Sequence, residues 1–212
     1  LGSEGDLNVS SNTISFEVNP YFNYPFTDYF LVGNATAAGW NNNNNNPALF
    51  RDASNPDVYR YTGFFQKNGV VNEGRFKVIE SKGFWQPQWG TTFGEPNDPI
   101  ETSGNIAGNP ITQDSDPGRF GVETEGYYTF TIDFGACVYS MEPFDASNAT
   151  EYTSITLQGS GISTDTEMNK LSIDPHMWFL NGVSLMTGGV QFETDTGATW
   201  GGDTSFSGMA SE

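Results

Sequence analysis

Basic residues, histidine and cysteine are nearly missing from this chain: 212 residues hold eight Lys and Arg, one His and one Cys. Facing them are 26 Asp and Glu, for a net charge of −18. That balance excludes nucleic acid as a partner, because phosphate contacts need clustered Lys and Arg. It also excludes charge-driven adhesion to anionic lipid. The lone Cys137 allows no intrachain disulfide, so the fold must stand on its apolar cores. Its neighbours, Phe134-Gly135-Ala136-Cys137-Val138-Tyr139, predict a buried, inert thiol. One Cys and one His exclude the usual zinc sites, and no cofactor-binding motif is present. Asp114-Ser115-Asp116 lacks the spacing of a dedicated calcium loop and reads as a solvated turn. No apolar run reaches the roughly 18 residues needed to span a bilayer. No secretory leader is legible at Leu1, so the chain reads as mature or trimmed. Nucleophile-elbow, phosphate-loop and metalloprotease motifs are also missing. His176 sits in a turn, Asp174-Pro175-His176, and no local motif selects a catalytic pair among the acids. The chain therefore reads as a non-enzyme.

What is abundant points one way. There are 17 Phe, 9 Tyr and 5 Trp, with 25 Gly and 11 Pro to punctuate them. Helical periodicity is nearly absent. Strand-like runs recur at Thr13–Val18, Tyr29–Gly33, Val58–Phe65, Gly74–Ile79, Tyr127–Phe134, Ile155–Gly159, Trp178–Leu185 and Gly189–Phe192. Many short strands without helices predict a β-sandwich. The unbroken Asn41–Asn46 run predicts an exposed loop with nothing that packs. Glu95–Gly118, rich in Pro, Gly, Asn and Asp, predicts a long surface loop.

An internal repeat organises these pieces. Asp28-Tyr29-Phe30-Leu31-Val32-Gly33 aligns with Ser154-Ile155-Thr156-Leu157-Gln158-Gly159, and Asn55-Pro56-Asp57-Val58-Tyr59 with Asp174-Pro175-His176-Met177-Trp178. Gly74-Arg75-Phe76 aligns with Val190-Gln191-Phe192, and Trp89-Gly90-Thr91 with Trp200-Gly201-Gly202. The strand Gly126–Asp133 has no counterpart in the second copy. The expected fold class is all-β, with tandem immunoglobulin-like β-sandwich modules, the second incomplete. Residues 1–27 form an opening strand and linker, 28–145 the first module and 153–212 the second.

The segment Tyr29-Phe30-Leu31-Val32-Gly33-Asn34-Ala35-Thr36-Ala37-Ala38-Gly39-Trp40 resembles the opening of the starch-binding modules of SusE/SusF-like outer-membrane lipoproteins, which read as an apolar strand, Gly and x-A-T-x-x-G-W. The Asn55–Tyr59 turn and the Glu73–Lys77 strand are similar as well. The resemblance covers about Asp28 to Asp133, and more weakly Thr153 to Gly208. It implies carbohydrate-binding modules at the outer face of the outer membrane. It also implies a SusC/SusD-like transporter complex as partner and an oligosaccharide or polysaccharide as ligand. The lipid anchor it implies would sit on an N-terminal Cys, which is not among these residues.

Sugars are held by aromatic faces against the pyranose ring and by polar groups that reach its hydroxyls. Trp40, bordered by loop residues, reads as a surface platform, and the resemblance implies that it forms one side of the sugar shelf. In Phe84-Trp85-Gln86-Pro87-Gln88-Trp89, either Trp85 or Trp89 supplies the second face, unless both are core. Family sites pair such aromatics with Lys or Arg, which points to Lys82 first and then Lys77. Alternation with Phe76 and Val78 puts Lys77 on the solvent face of its strand. Gln86 and Gln88 add amides. The second copy lacks the Gly-Trp end of the motif, and Trp178 reads as core. The alternative to glycan binding is a structural accessory subunit whose aromatics are buried against partners.

Overall fold

A computed structural model describes residues 27–67, 74–92, 99–109 and 116–201. Among the described residues every regular element is a strand, so the all-β expectation holds. Thr13–Val18 lies outside them.

Nine strands build the first part: β1 (Phe30–Val32), β2 (Phe50–Arg51), β3 (Val58–Phe65), β4 (Arg75–Ile79), β5 (Gln88–Thr91), β6 (Ser103–Asn109), β7 (Phe120–Gly121), β8 (Gly126–Asp133) and β9 (Val138–Pro143). They form one continuous sheet in the order β1-β4-β5-β6-β9-β8-β3-β2, with β7 paired to β4. All these pairings are antiparallel. The sheet folds on itself at β6. Its second half, Ile106–Asn109, pairs with β5, while Ser103–Asn105 pairs with β9. The two layers of a sandwich are thereby joined along one edge.

Between the layers lies an aromatic core. Leu31, Phe76, Val78 and Phe120 come from one side, and Tyr59, Tyr61, Phe65, Phe130, Ile132, Tyr139 and Met141 from the other. Phe130 meets Phe76 and Phe120 at ring distances of 5.1 and 5.0 Å. Each fully buried Phe contributes roughly 1.5–3 kcal/mol by leaving water.

Glu95–Gly118 is not one long loop. The strand β6 was illegible because its sequence, Ser-Gly-Asn-Ile-Ala-Gly-Asn, holds a single strand former, Ile106, among Gly, Asn, Ser and Ala. Two aromatic rings explain its composition: a side chain at Gly108 would meet the Trp89 indole nitrogen at 2.7 Å, and one at Gly104 the Tyr139 ring at 3.3 Å. Space for large rings, not strand propensity, set those residues. The Cys137 expectation is also overturned. The thiol is exposed on the turn between β8 and β9, where the chain takes a positive φ of 57°. The flanking Phe134 and Val138 made a tight turn look like strand interior.

The remaining strands are β10 (Ile155–Gln158), β11 (Thr166–Glu167), β12 (Asn169–Leu171), β13 (Asp174–Phe179), β14 (Gln191–Thr194) and β15 (Thr199–Trp200). One sheet runs β11-β10-β14-β15, and β12 pairs with β13. The strand expected at Trp178–Leu185 lies earlier, at Asp174–Phe179, and the one at Gly189–Phe192 lies later. Trp178 is half-buried, beneath the Lys170 ammonium at 5.0 Å from its ring.

The pairing of the repeat recurs. As β1 pairs with β4 and β4 with β5, so β10 pairs with β14 and β14 with β15. Trp89 faces Val78, and Trp200 faces Phe192. The register corrects one alignment. Val32 faces Lys77 and Gln158 faces Gln191, so the partner of Phe192 is Val78, two residues beyond Phe76. A shift of two keeps the same face of a strand, which is why the sequence pattern hid it.

Candidate functional site

The site begins with the parity of β1 and β4. Leu31, Val78 and Trp89 lie in one register row and point to the main core. The neighbouring row, Phe30, Ile79 and Gln88, points to the opposite, outer face. There Phe30, Val32 and Ile79 form a second, smaller apolar cluster, and Trp40, Ala48 and Trp85 pack against it.

Trp40 is brought there by a closed turn. Gly33 donates to Gly39 O at 2.7 Å, and Thr36 caps the turn through its amide and its hydroxyl, both 2.9 Å from Gly33 O. Ala35 donates to Arg75 O at 3.0 Å, which anchors the turn on β4. Gly33 holds φ at 142°, and a β-carbon there would collide with the backbone of Arg75 and Phe76. The x-A-T-x-x-G-W pattern is thus a device that returns the chain over β1 with an indole at its end.

The Asn run that follows is not free of packing. Asn46 is only 5% exposed. Its amide donates to Leu31 O and Asn41 O, each at 3.0 Å, while Asn44 reaches Ala38 O at 3.2 Å. Asn fits here because its amide substitutes for backbone pairing. The same loop meets the one carrying Trp85: Gly83 donates to Asn42 O at 2.7 Å. The two Trp-bearing loops are therefore tied directly.

Of the expected site residues, the structure brings together Trp40, Trp85, Lys82 and Lys77, and sets Trp89 apart. Trp40 and Trp85 are both half-buried at the outer patch. Trp89 belongs to the inner face, edge-on to Tyr29 and Phe134 at 5.3 Å each, so it offers no sugar face. Lys82 is exposed, its ammonium 5.2 Å from the Phe30 ring centre. Lys77 points to the outer face as alternation demands, but it is only 4% exposed. Its ammonium donates to Gln88 Oε1 at 2.8 Å and to Asp116 at 3.2 Å, and Gln88 donates to Asp116 at 3.0 Å. Outward-facing does not mean solvated here, because a returning loop covers that face. Burial pushes the Lys77 ammonium below its ordinary pKa, Asp116 opposes that shift, and Arg119 adds to it.

The covering loop supplies residues the sequence did not flag. Gly118 donates to Thr91 O at 2.8 Å and crosses β5 over Gly90, where any β-carbon would collide with the Gly118 carbonyl. This brings Asp116 to Lys77 and puts the Arg119 guanidinium 5.7 Å from the Trp40 ring centre. Phe84, at 66% exposure, stands beside Trp85 on the loop after Lys82. For Arg119 the legible signal was rarity, one of eight basic residues; for Phe84 it was adjacency to Trp85 between Gly83 and Pro87.

Two buried nitrogens of the patch, Trp40 Nε1 and Gln86 Nε2, have no hydrogen-bond partner. Such orphans are uncommon in native proteins and call for an explanation. Among the described residues no group of His, Cys, Asp and Glu could hold a metal ion. Asp116 is committed to Lys77, while Asp114 and Ser115 lie outside the described residues. His176 is held by local contacts, its backbone donating to Asp174 at 3.0 Å and its Nδ1 lying 3.3 Å from Thr150 O.

Comparison with protein-family models and with curated proteins gives no match. Among solved structures, the chain is similar to SusF from Bacteroides thetaiotaomicron, with 13% identity and a TM-score of 0.39. The match covers 77% of this chain and 35% of that one, so the chain spans about a third of that protein's length.

Proposed function

We propose that the protein binds an oligosaccharide or polysaccharide, without catalysis, on the outer face of β1, β4 and β5. The observation that carries this is the pairing of Trp40 and Trp85 on one apolar strip. Indole faces stack on pyranose rings. Phe84 extends the apolar surface. Lys77, Gln88 and Asp116 form a hydrogen-bonded floor that keeps the polar edge fixed. Placement at the outer face of the outer membrane, beside a SusC/SusD-like complex, belongs to the same proposal and is supported by the x-A-T-x-x-G-W resemblance.

Shallow stacking sites bind weakly, with Kd on the order of 0.01–1 mM. Screening the intact chain on a glycan array finds the ligand. Trp40→Ala and Trp85→Ala should then each abolish retardation in the matching polysaccharide gel, with circular dichroism unchanged. Retardation that survives both substitutions in folded protein overturns the site. Glycan silence of the wild-type chain across the array favours the accessory-subunit alternative instead.

A further inference from the structure

The eight basic residues are not equally occupied. Arg60 pairs with Asp52, Lys67 with Glu123, Lys77 with Asp116 and Lys170 with Glu151. Arg51 and Arg75 are engaged as well. That leaves Lys82 and Arg119. In a chain with 26 acids, these two cations have no carboxylate partner among the described residues; their contacts are with aromatic rings. Both rings border the same patch: Phe30 lies in its apolar strip and Trp40 packs on it. Arg119 also lies close enough to Lys77 to act on its ammonium, so three of the eight cations gather at one surface.

We infer that this patch selects acidic glycans, sugars bearing a carboxylate or sulfate, with Lys82 and Arg119 receiving the charge. This rests on the patch being a sugar site. A cation can serve a neutral hydroxyl too, but two of them at one patch with no carboxylate partner among the described residues, in a chain of 26 acids, point to a ligand that brings its own negative charge. A ring beside each cation holds its stem without consuming its N–H groups as a carboxylate would; Lys82 is exposed and Arg119 half-buried. Arg119 adds a planar fork that matches a carboxylate or sulfate edge. The overall charge of −18 does not forbid this, because acids more than about 8 Å away are largely screened at physiological salt.

The test is a set of matched pairs titrated into the full chain at physiological salt. One pair is an oligogalacturonate and its methyl ester; the other is a sulfated galactan oligosaccharide and its desulfated form. The charged member of at least one pair should bind about five- to tenfold more tightly than its neutral twin, as expected for two partly exposed ion pairs. The first pair reports a carboxylate ligand and the second a sulfate. The double variant Lys82→Gln, Arg119→Gln should erase that preference, bringing the charged and neutral twins to within about twofold of each other whatever their common affinity, whereas Trp40→Ala should remove binding of both. Equal or tighter binding of the neutral twins overturns the charge inference and leaves the platform standing. A charge preference that survives the double variant also overturns it. Failure to bind any member of either pair, when the array has identified a neutral glycan, overturns the inference as well; failure on the array too removes the platform itself.

Discussion

Gly33 shows how much a single residue decides. Its φ of 142° is strained for any L side chain, and its α-carbon is pressed against β4. Gly33→Ala should destabilise the protein by about 3 kcal/mol or more and loosen the Trp40 turn, measured by denaturant unfolding together with glycan retardation. Lys77 is the second such residue. Lys77→Met keeps the stem's volume but removes the charged donor from Gln88 and Asp116, and should cost about 1–3 kcal/mol. An unchanged unfolding midpoint for Lys77→Met would show that the floor beneath the patch is not structural. At this scale the sequence was partly legible. The x-A-T-x-x-G-W pattern pointed to Trp40, while the choice between Trp85 and Trp89 stayed open. What separates Trp85 from Trp89 is register: Trp89 faces Val78 across β4 and so falls on the core side. No local pattern reports which row of a strand a partner will select. The burial of Lys77 was hidden for a related reason, since the loop that meets it brings Asp116 from 39 residues away in sequence.

Among elements, β3, β8 and β1 were readable from alternation, whereas β6 was not, because its glycines serve the rings of Trp89 and Tyr139. The repeat was visible in order but slipped by two residues in β14, a slip that preserves the face and leaves no trace in the hydrophobic pattern. A contact between elements carries its own prediction. Asp174 at the head of β13 is 1% exposed and accepts from the Phe64 amide at 2.9 Å and from the Tyr127 hydroxyl at 3.1 Å. Phe64 lies in β3 beyond the reach of the short β2, so Asp174 satisfies an edge amide that no strand covers. Asp174→Ala should cost about 2 kcal/mol and speed hydrogen exchange at the Phe64 amide, while exchange at core amides of β8 changes only through global stability. Unaltered protection at Phe64 would remove the edge-capping role.

For the molecule as a whole, the tyrosines set an alkaline limit. Burial is the main cause in each case, and it pushes the Tyr29, Tyr127 and Tyr139 hydroxyls up to about 12; Tyr61 is raised further. Nearby carboxylates add to this: Glu80 at Tyr29, Asp174 at Tyr127 and Tyr61, and Glu101 at Tyr139. In the unfolded chain these phenols ionise near the ordinary value of about 10. A folded pKa above the unfolded one stabilises the fold fully below pH 10 or so, and that contribution is lost as pH rises through about 12. Phenolate absorbance should therefore lag behind that of a denatured control between these values and then rise together with loss of circular dichroism. Complete titration near 10 in the folded protein would contradict the burial of these rings.

The Asn46 amide, set between Leu31 and Asn41, has a consequence for calorimetry. A shelf whose supporting loops are already pinned asks little reorganisation of an arriving ligand. Heat released on titration should then scale with the stacked area and be accompanied by only a small entropic penalty. Asn46→Ala should loosen that loop and enlarge the entropic penalty seen when a glycan is titrated.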